Sequence, residues 1–172
     1  MLNYFALNFR YLKTMVASER ILKWALRLYP PLFFQRIWVV GFDKGYRGVE
    51  VKIKKSFLNK NYNNSIFGGT LFAAADPFYP ILFHHLLIKK GYKLKVWSKS
   101  STIEYLKPGL TDLYFKISIS DDEIEEVENQ LNTLGKYIAH HPIDIYNKNG
   151  EICVSVINEV YLRNLNFIDP NL

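Results

Sequence analysis

A single cysteine, Cys153, among 172 residues excludes an internal disulfide framework and suits a reducing, cytoplasmic setting. It lies between Ile152 and Val154 in a strand-like alternation, the place of a plain thiol and not of a nucleophile. In the first 29 residues the apolar runs are short and interrupted by charge, so neither a spanning helix nor a typical secretory h-region is expected there. The four histidines lack ligand spacing. His84 and His85 are adjacent on a helical pattern, His140 and His141 are adjacent before Pro142, and neither pair can act as an i, i+4 clamp, so no metal is assigned. Internal repeats and low-complexity segments are absent. So is an aromatic-basic RNA-reading motif, and no nucleic-acid partner is expected.

What is present describes one domain with some extra length. About half the residues are apolar (49%), enough for a sizeable core, and 12 Tyr with 12 Phe suit a sheet and an apolar pocket. The net charge is +6, and the basic residues are spread along the chain and not packed into one block. By itself it fits the phosphates of coenzyme A, an anionic membrane surface or RNA equally well.

Residues 1–29 pattern as one or two amphipathic helices, with Leu2, Phe5, Phe9, Leu12 and Val16 near helical spacing and Arg10, Lys13 and Arg20 between them. Pro30-Pro31 ends them, giving an N-terminal helical extension over 1–35 and a main domain over 36–172. The extension is expected to pack on the domain or a partner subunit, with contact to a membrane surface as the lesser alternative. Two strands follow, 36–42 and 48–54, the second alternating Val49, Val51 and Ile53 with Glu50, Lys52 and Lys54. Helix resumes over 81–88 and stops at Gly91. A long strand or a bent pair of strands over 94–106 changes apolar phase at Ser98-Lys-Ser-Ser, which a bulge would account for. Next come a strand over 113–119, a capped helix opening on Ser120-Asp-Asp-Glu123 with Ile124, Val127, Leu131 and Leu134 on its inner face, and a hairpin turning at Asn147-Lys-Asn-Gly150.

Between the second strand and the 81–88 helix lies the stretch from Asn61 to Asp76. A polar turn passes through Gly68-Gly69 into the small-residue run Thr70-Leu-Phe-Ala-Ala-Ala75. A helix entered through two glycines offers unpaired N–H groups with no side chains in the way, the requirements of an oxyanion site. Asp76 has no partner within a turn. Buried there, it would carry a raised pKa suited to a general base; equally, Asp76-Pro77 is a good start for the next helix.

Asn61, Phe67-Gly68-Gly69 and Asp76 resemble the Asn, His-Gly-Gly and Asp pattern of hotdog-fold acyl-CoA thioesterases of the phenylacetyl-CoA thioesterase type. With Trp97, Lys99 and Tyr105-Leu-Lys-Pro-Gly109, the chain is similar to an uncharacterised bacterial group of hotdog proteins carrying Phe-Gly-Gly. The resemblance covers about residues 36 to 163. It implies an α+β hotdog fold, an antiparallel sheet wrapped around a central helix. It implies that Asp76 activates water or attacks the thioester, that a Gly68 or Gly69 N–H holds the carbonyl oxygen, and that Asn61 orients substrate or water. Asn64, Phe67, Thr70 and Phe72 fall along the substrate, and Lys99 at a phosphate. The partners implied are an acyl-CoA or acyl-carrier thioester and further copies of the chain, as a dimer or a dimer of dimers, with the site between subunits and no cofactor. Phe67 stands where the thioesterases have His and Asn64 where they usually have Gly, so a non-catalytic acyl-binding protein is the alternative.

Overall fold

Residues 17–168 are described by a computed structural model; the helix expected around Leu2, Phe5, Phe9, Leu12 and Val16 falls outside them. Helix α1 (Glu19–Leu28) begins where the Ser18 hydroxyl accepts from the Ile21 N–H, and α2 (Pro30–Phe34) starts on the proline pair. Prolines at the first positions of a helix forfeit no hydrogen bond, so Pro30-Pro31 ends one helix and opens another. Strands β1 (Ile37–Phe42) and β2 (Gly48–Ile53) follow, then helices α3 (Gly68–Ala75) and α4 (Phe78–Lys89). The remainder is β3 (Leu94–Tyr105), β4 (Leu113–Ser118), α5 (Asp121–Thr133), β5 (Lys136–Asn147) and β6 (Ile152–Asn164).

All six strands form one antiparallel sheet in the order β1-β2-β4-β5-β6-β3. Helices α3 and α4 fill its concave side, burying Leu71, Ala74, Phe78, Leu82, Phe83 and Leu87 against Val49, Val51, Phe115, Val156 and Val160. Together they span Gly68–Lys89, long and apolar enough to cross a membrane by length and composition; here that apolar length belongs to the core. Strand β3 is an edge of the sheet. The opposite edge, β1, is covered by α1, where Leu22 and Leu26 pack on the core and the Arg27 Nε donates to the Val39 carbonyl at 2.8 Å. A cation on an edge carbonyl blocks strand addition at that side.

Several expectations hold. The bulge falls at Lys99, where the β3–β6 register shifts between Ser98 and Ser100. The Ser120 hydroxyl caps α5 by accepting from the Glu123 N–H at 3.1 Å. Asn64 takes the left-handed conformation that the turn demands, with φ 56°. Others change. Leu134 is exposed at the C-cap of α5, one step beyond the buried stripe of Ile124, Val127 and Leu131. Helix α4 starts at Phe78, earlier than 81, because Pro80 lies in its first turn, where no intrahelical N–H bond is lost.

Candidate active site

The α2–β1 junction and the end of β2 are tied to the site loop by buried Asn59. Its Nδ2 donates to the Gln35 and Lys54 carbonyls at 2.8 and 3.0 Å, and the Phe67 N–H returns to the Asn59 carbonyl at 2.7 Å. Asn61 then builds the turn. Its Oδ1 accepts from the Ser65 N–H and hydroxyl, both at 3.1 Å, leaving Nδ2 without a partner among the described residues. Phe67 is the N-cap of α3 but supplies no side-chain bond to it, so the Gly68 and Gly69 amides at the helix entrance have no intrahelical partner.

Around that entrance is a cleft of about 520 Å³. It gathers Asn61, Phe67, Gly68 and Gly69 with Leu71, Tyr105, Lys107 and Pro108. The Tyr105 hydroxyl donates to the Gly68 carbonyl at 3.1 Å, and its ring lies so near Gly68 that a Cβ there would sit 3.1 Å from it. The Phe67 ring folds over Gly69 more tightly still, leaving 2.4 Å to a Cβ at that position. Both glycines are therefore needed for close packing of aromatic rings on the helix entrance. Lys107 is the cation of this rim. It pairs with Glu151 at 2.6 Å, and that hydrogen bond raises its pKa and lowers that of Glu151.

Asp76 is elsewhere. It follows the last residue of α3, and eight residues of helix at about 1.5 Å each place it roughly 12 Å from Gly68. The expectation of a buried carboxylate is not met within one protomer, for Asp76 is exposed. Nor does its side chain start α4: Asp76 has helical backbone angles, and Pro77 is the N-cap. What holds Asp76 is its backbone. In a continuous helix, the Asp76 carbonyl would accept from residue 80, a proline with no N–H; the Ser98 hydroxyl supplies that bond at 3.0 Å. The preceding carbonyl, of Ala75, accepts from fully buried Asn158 Nδ2 at 2.9 Å, and the Ser101 hydroxyl donates to Asn158 Oδ1 at 2.7 Å. Two strands thus fix the bend that carries the carboxylate.

The remaining expected residues are scattered. Thr70 is buried in α3, Phe72 is exposed on it, and Asn64 is exposed at the turn. Lys99 projects from the bulge and binds Glu159 at 2.9 Å; that bond and one from the Ser100 hydroxyl hold the Glu159 carboxyl below its ordinary value. Sequence reasoning missed Ser98 and Asn158. The signal for Asn158 was present, as the single polar residue in the inward phase Val154, Val156, Asn158, Val160, Leu162. Tyr105 was visible as part of a motif, but its bond to Gly68 was not.

A bent apolar helix cradled by a six-stranded antiparallel sheet, entered through a glycine pair, defines a hotdog-fold protein. Within that class, residues 18–162 match the family described as a domain of unknown function (DUF4442), and the chain belongs to that family. Solved structures agree on the fold. A Pseudomonas aeruginosa protein of unknown function, described as a probable thioesterase, is 15% identical with a TM-score of 0.71, covering 84% of this chain and 95% of its own. A Haemophilus influenzae thioesterase is 13% identical at a TM-score of 0.63, covering 88% and 94%. The E. coli PaaI protein of the phenylacetic acid degradation operon is 15% identical at 0.53, covering 81% and 87%. No curated protein sequence matches the chain.

Proposed function

We propose that this protein is an acyl-CoA thioesterase whose active site is completed between two copies of the chain. The observation that carries the reading is the separation within one protomer: the glycine entrance opens into a cleft that holds no acid, while Asp76 stands exposed at the far end of the same helix. Two antiparallel copies of α3 would bring each entrance opposite the other copy's Asp76. The exposed edge of β3, twelve residues long, gives the sheet a seam along which a second copy can add. Pairs of such dimers would form the tetramer.

In this reading the Gly68 and Gly69 amides polarise the thioester carbonyl, and the unclaimed Asn61 Nδ2 orients the carbonyl or the water. The partner copy's carboxylate accepts a proton from that water as its oxygen bonds to the acyl carbon. Collapse of the tetrahedral intermediate breaks the C–S bond, and the proton passes to the departing thiolate, giving a carboxylic acid and free coenzyme A. Thioester presented on an acyl-carrier protein would react in the same way. Phe67, Leu71 and Tyr105 suit the acyl chain, and Thr70, Phe72 and Asn64 act through the wall and the turn that shape it. Lys107 on the cleft rim and Lys99 on the β3 bulge are offered for the phosphates. The buried lone thiol fits a cytoplasmic setting.

The test is thiol release from a panel of acyl-CoA thioesters. Asp76→Ala is expected to lose hydrolysis by two or more orders of magnitude, in the range of a general base, with its melting temperature unchanged because the side chain is exposed. A fully active variant removes Asp76 from the mechanism. The Phe67 ring over Gly69 favours one specific rival, a protein that binds acyl-CoA without turnover. Tight binding with no thiol release from any member of the panel would establish that rival instead.

A further inference from the structure

Helix α1 carries two apolar faces where a surface helix needs one. Leu22 and Leu26, four apart, pack on the core. Ile21, Trp24 and Leu28, spaced by three and four, form a separate stripe that remains 60%, 50% and 68% exposed, and it runs on into Tyr29 and Phe34, at 50% and 63%. Five large apolar side chains turned outward on one short segment exceed what scattered surface residues account for. Exposed Arg20, one turn before Trp24, lies beside the stripe and away from the packed leucines; half-buried Lys23 lies on the other flank of the helix, and the Arg27 guanidinium sits 4.9 Å from the Trp24 ring centroid. The one acid of the helix, Glu19, is already engaged by Lys89 at 3.0 Å and by the Gly45 N–H at 3.0 Å.

Charge is distributed to match. Residues 1–36 contain six basic side chains (Arg10, Lys13, Arg20, Lys23, Arg27 and Arg36) and a single acid, Glu19, so they hold five of the chain's net six positive charges. The remaining 136 residues are close to neutral. A protein that merely needed solubility would have no reason to gather its net charge in the segment of sequence that carries this apolar stripe.

We propose that the outer face of α1 and α2 docks on an anionic lipid surface, with Ile21, Trp24, Leu28 and Phe34 entering the headgroup and acyl boundary and Arg20 and Lys23 reaching lipid phosphates. Trp24 is suited to that depth, since its ring is apolar and its N–H is polar. Arg27 contacts that ring while its Nε stays on the β1 edge, so docking leaves the sheet undisturbed. The apolar stripe favours lipid over RNA, which would be met by stacked aromatics and cations without exposed Leu and Ile. This inference is independent of the thioester reading.

The test is co-sedimentation of the full chain with vesicles of equimolar phosphatidylcholine and phosphatidylglycerol, against phosphatidylcholine alone. Binding is expected to the anionic vesicles only, to weaken with added salt, and to fall roughly fivefold for each cation removed in Arg20→Ser and Lys23→Ser. Trp24→Ser with Leu28→Ser should abolish it, with circular dichroism unchanged because both side chains are exposed. Absence of vesicle binding overturns the proposal. So does binding that the Trp24 and Leu28 substitutions leave intact, which would assign it to another segment of the chain. Loss of oligomer mass in the same double variant would make the face a contact between copies. A labelled RNA that wild type binds and that Arg20→Ser with Lys23→Ser releases, without vesicle binding, would make it a nucleic-acid surface and overturn the proposal.

Discussion

Asn158 shows how one side chain on a distant strand holds the bend that carries Asp76. Pro80 has no N–H for the Asp76 carbonyl, and at the bend between the two helices the Ala75 carbonyl also takes a side-chain donor. Asn158 and Ser98 provide the donors from β6 and β3. Asn158→Leu is isosteric but strands the Ala75 carbonyl and the Ser101 hydroxyl. It is expected to cost about 1–3 kcal/mol in urea denaturation, as for a buried acceptor left unpaired, whereas Ser98→Ala, at a half-exposed site, costs less. A wild-type midpoint in Asn158→Leu would mean that the bend is held by packing alone. Phe67 belongs to the same scale. Its ring occupies the space of a Cβ at Gly69, so Gly69→Ala requires that the exposed ring swing aside.

At the scale of elements, the junction of α1 with α4 is the part of the fold most exposed to acid. His85 of α4 is stacked on Tyr46 at 4.7 Å between ring centroids, and burial, followed by the neighbouring His84 and Lys89, pushes it down to about 4 from its ordinary 6.5. Folded protein therefore keeps His85 neutral where the unfolded chain binds a proton. Unfolded chain takes up more protons between pH 6.5 and about 4, so stability falls as pH falls through that window. Glu19 adds to the effect lower down: hydrogen bonding to its own backbone and then to Lys89 holds its pKa below the ordinary 4.5, and that contribution is lost as pH falls through the folded value. Melting temperature is expected to drop from pH 7 to pH 4, and His85→Gln should flatten the upper part of the curve. An unchanged slope in that variant would place the acid sensitivity elsewhere. Tyr46, whose hydroxyl donates to the Ala17 carbonyl and is pushed up to about 12 by burial, stays protonated throughout.

On the scale of the whole molecule, the proposed site makes a prediction that no single chain can satisfy. Asp76→Ala removes the acid, and Gly68→Leu fills the cleft where Tyr105 already lies against the helix. Each variant alone should be inactive. Refolded together at equal amounts, random two-fold pairing leaves one intact site in half the dimers, so activity should recover to about a quarter of wild type. Recovery to that level, measured as thiol release, shows that acid and amides come from different copies; no recovery would place them in one chain or nowhere.

Much of this architecture was legible in the chain itself. The alternation of Val49, Val51 and Ile53, the Ser120 cap, the phase slip at Lys99 and the turn at Asn147 are local features, set by neighbours within a few residues, and the folded strands and helices follow them. The glycine entrance was legible for the same reason, since backbone amides freed at a helix start are a property of the helix alone. Which groups meet was decided by tertiary structure. Exposure of Asp76, donors for the bend from strands β3 and β6, the Tyr105 ring on Gly68 and the outward stripe on α1 all depend on how segments tens of residues apart pack. Sequence periodicity says that a side chain has a face; only the packed sheet decides whether that face meets core, solvent or a second chain.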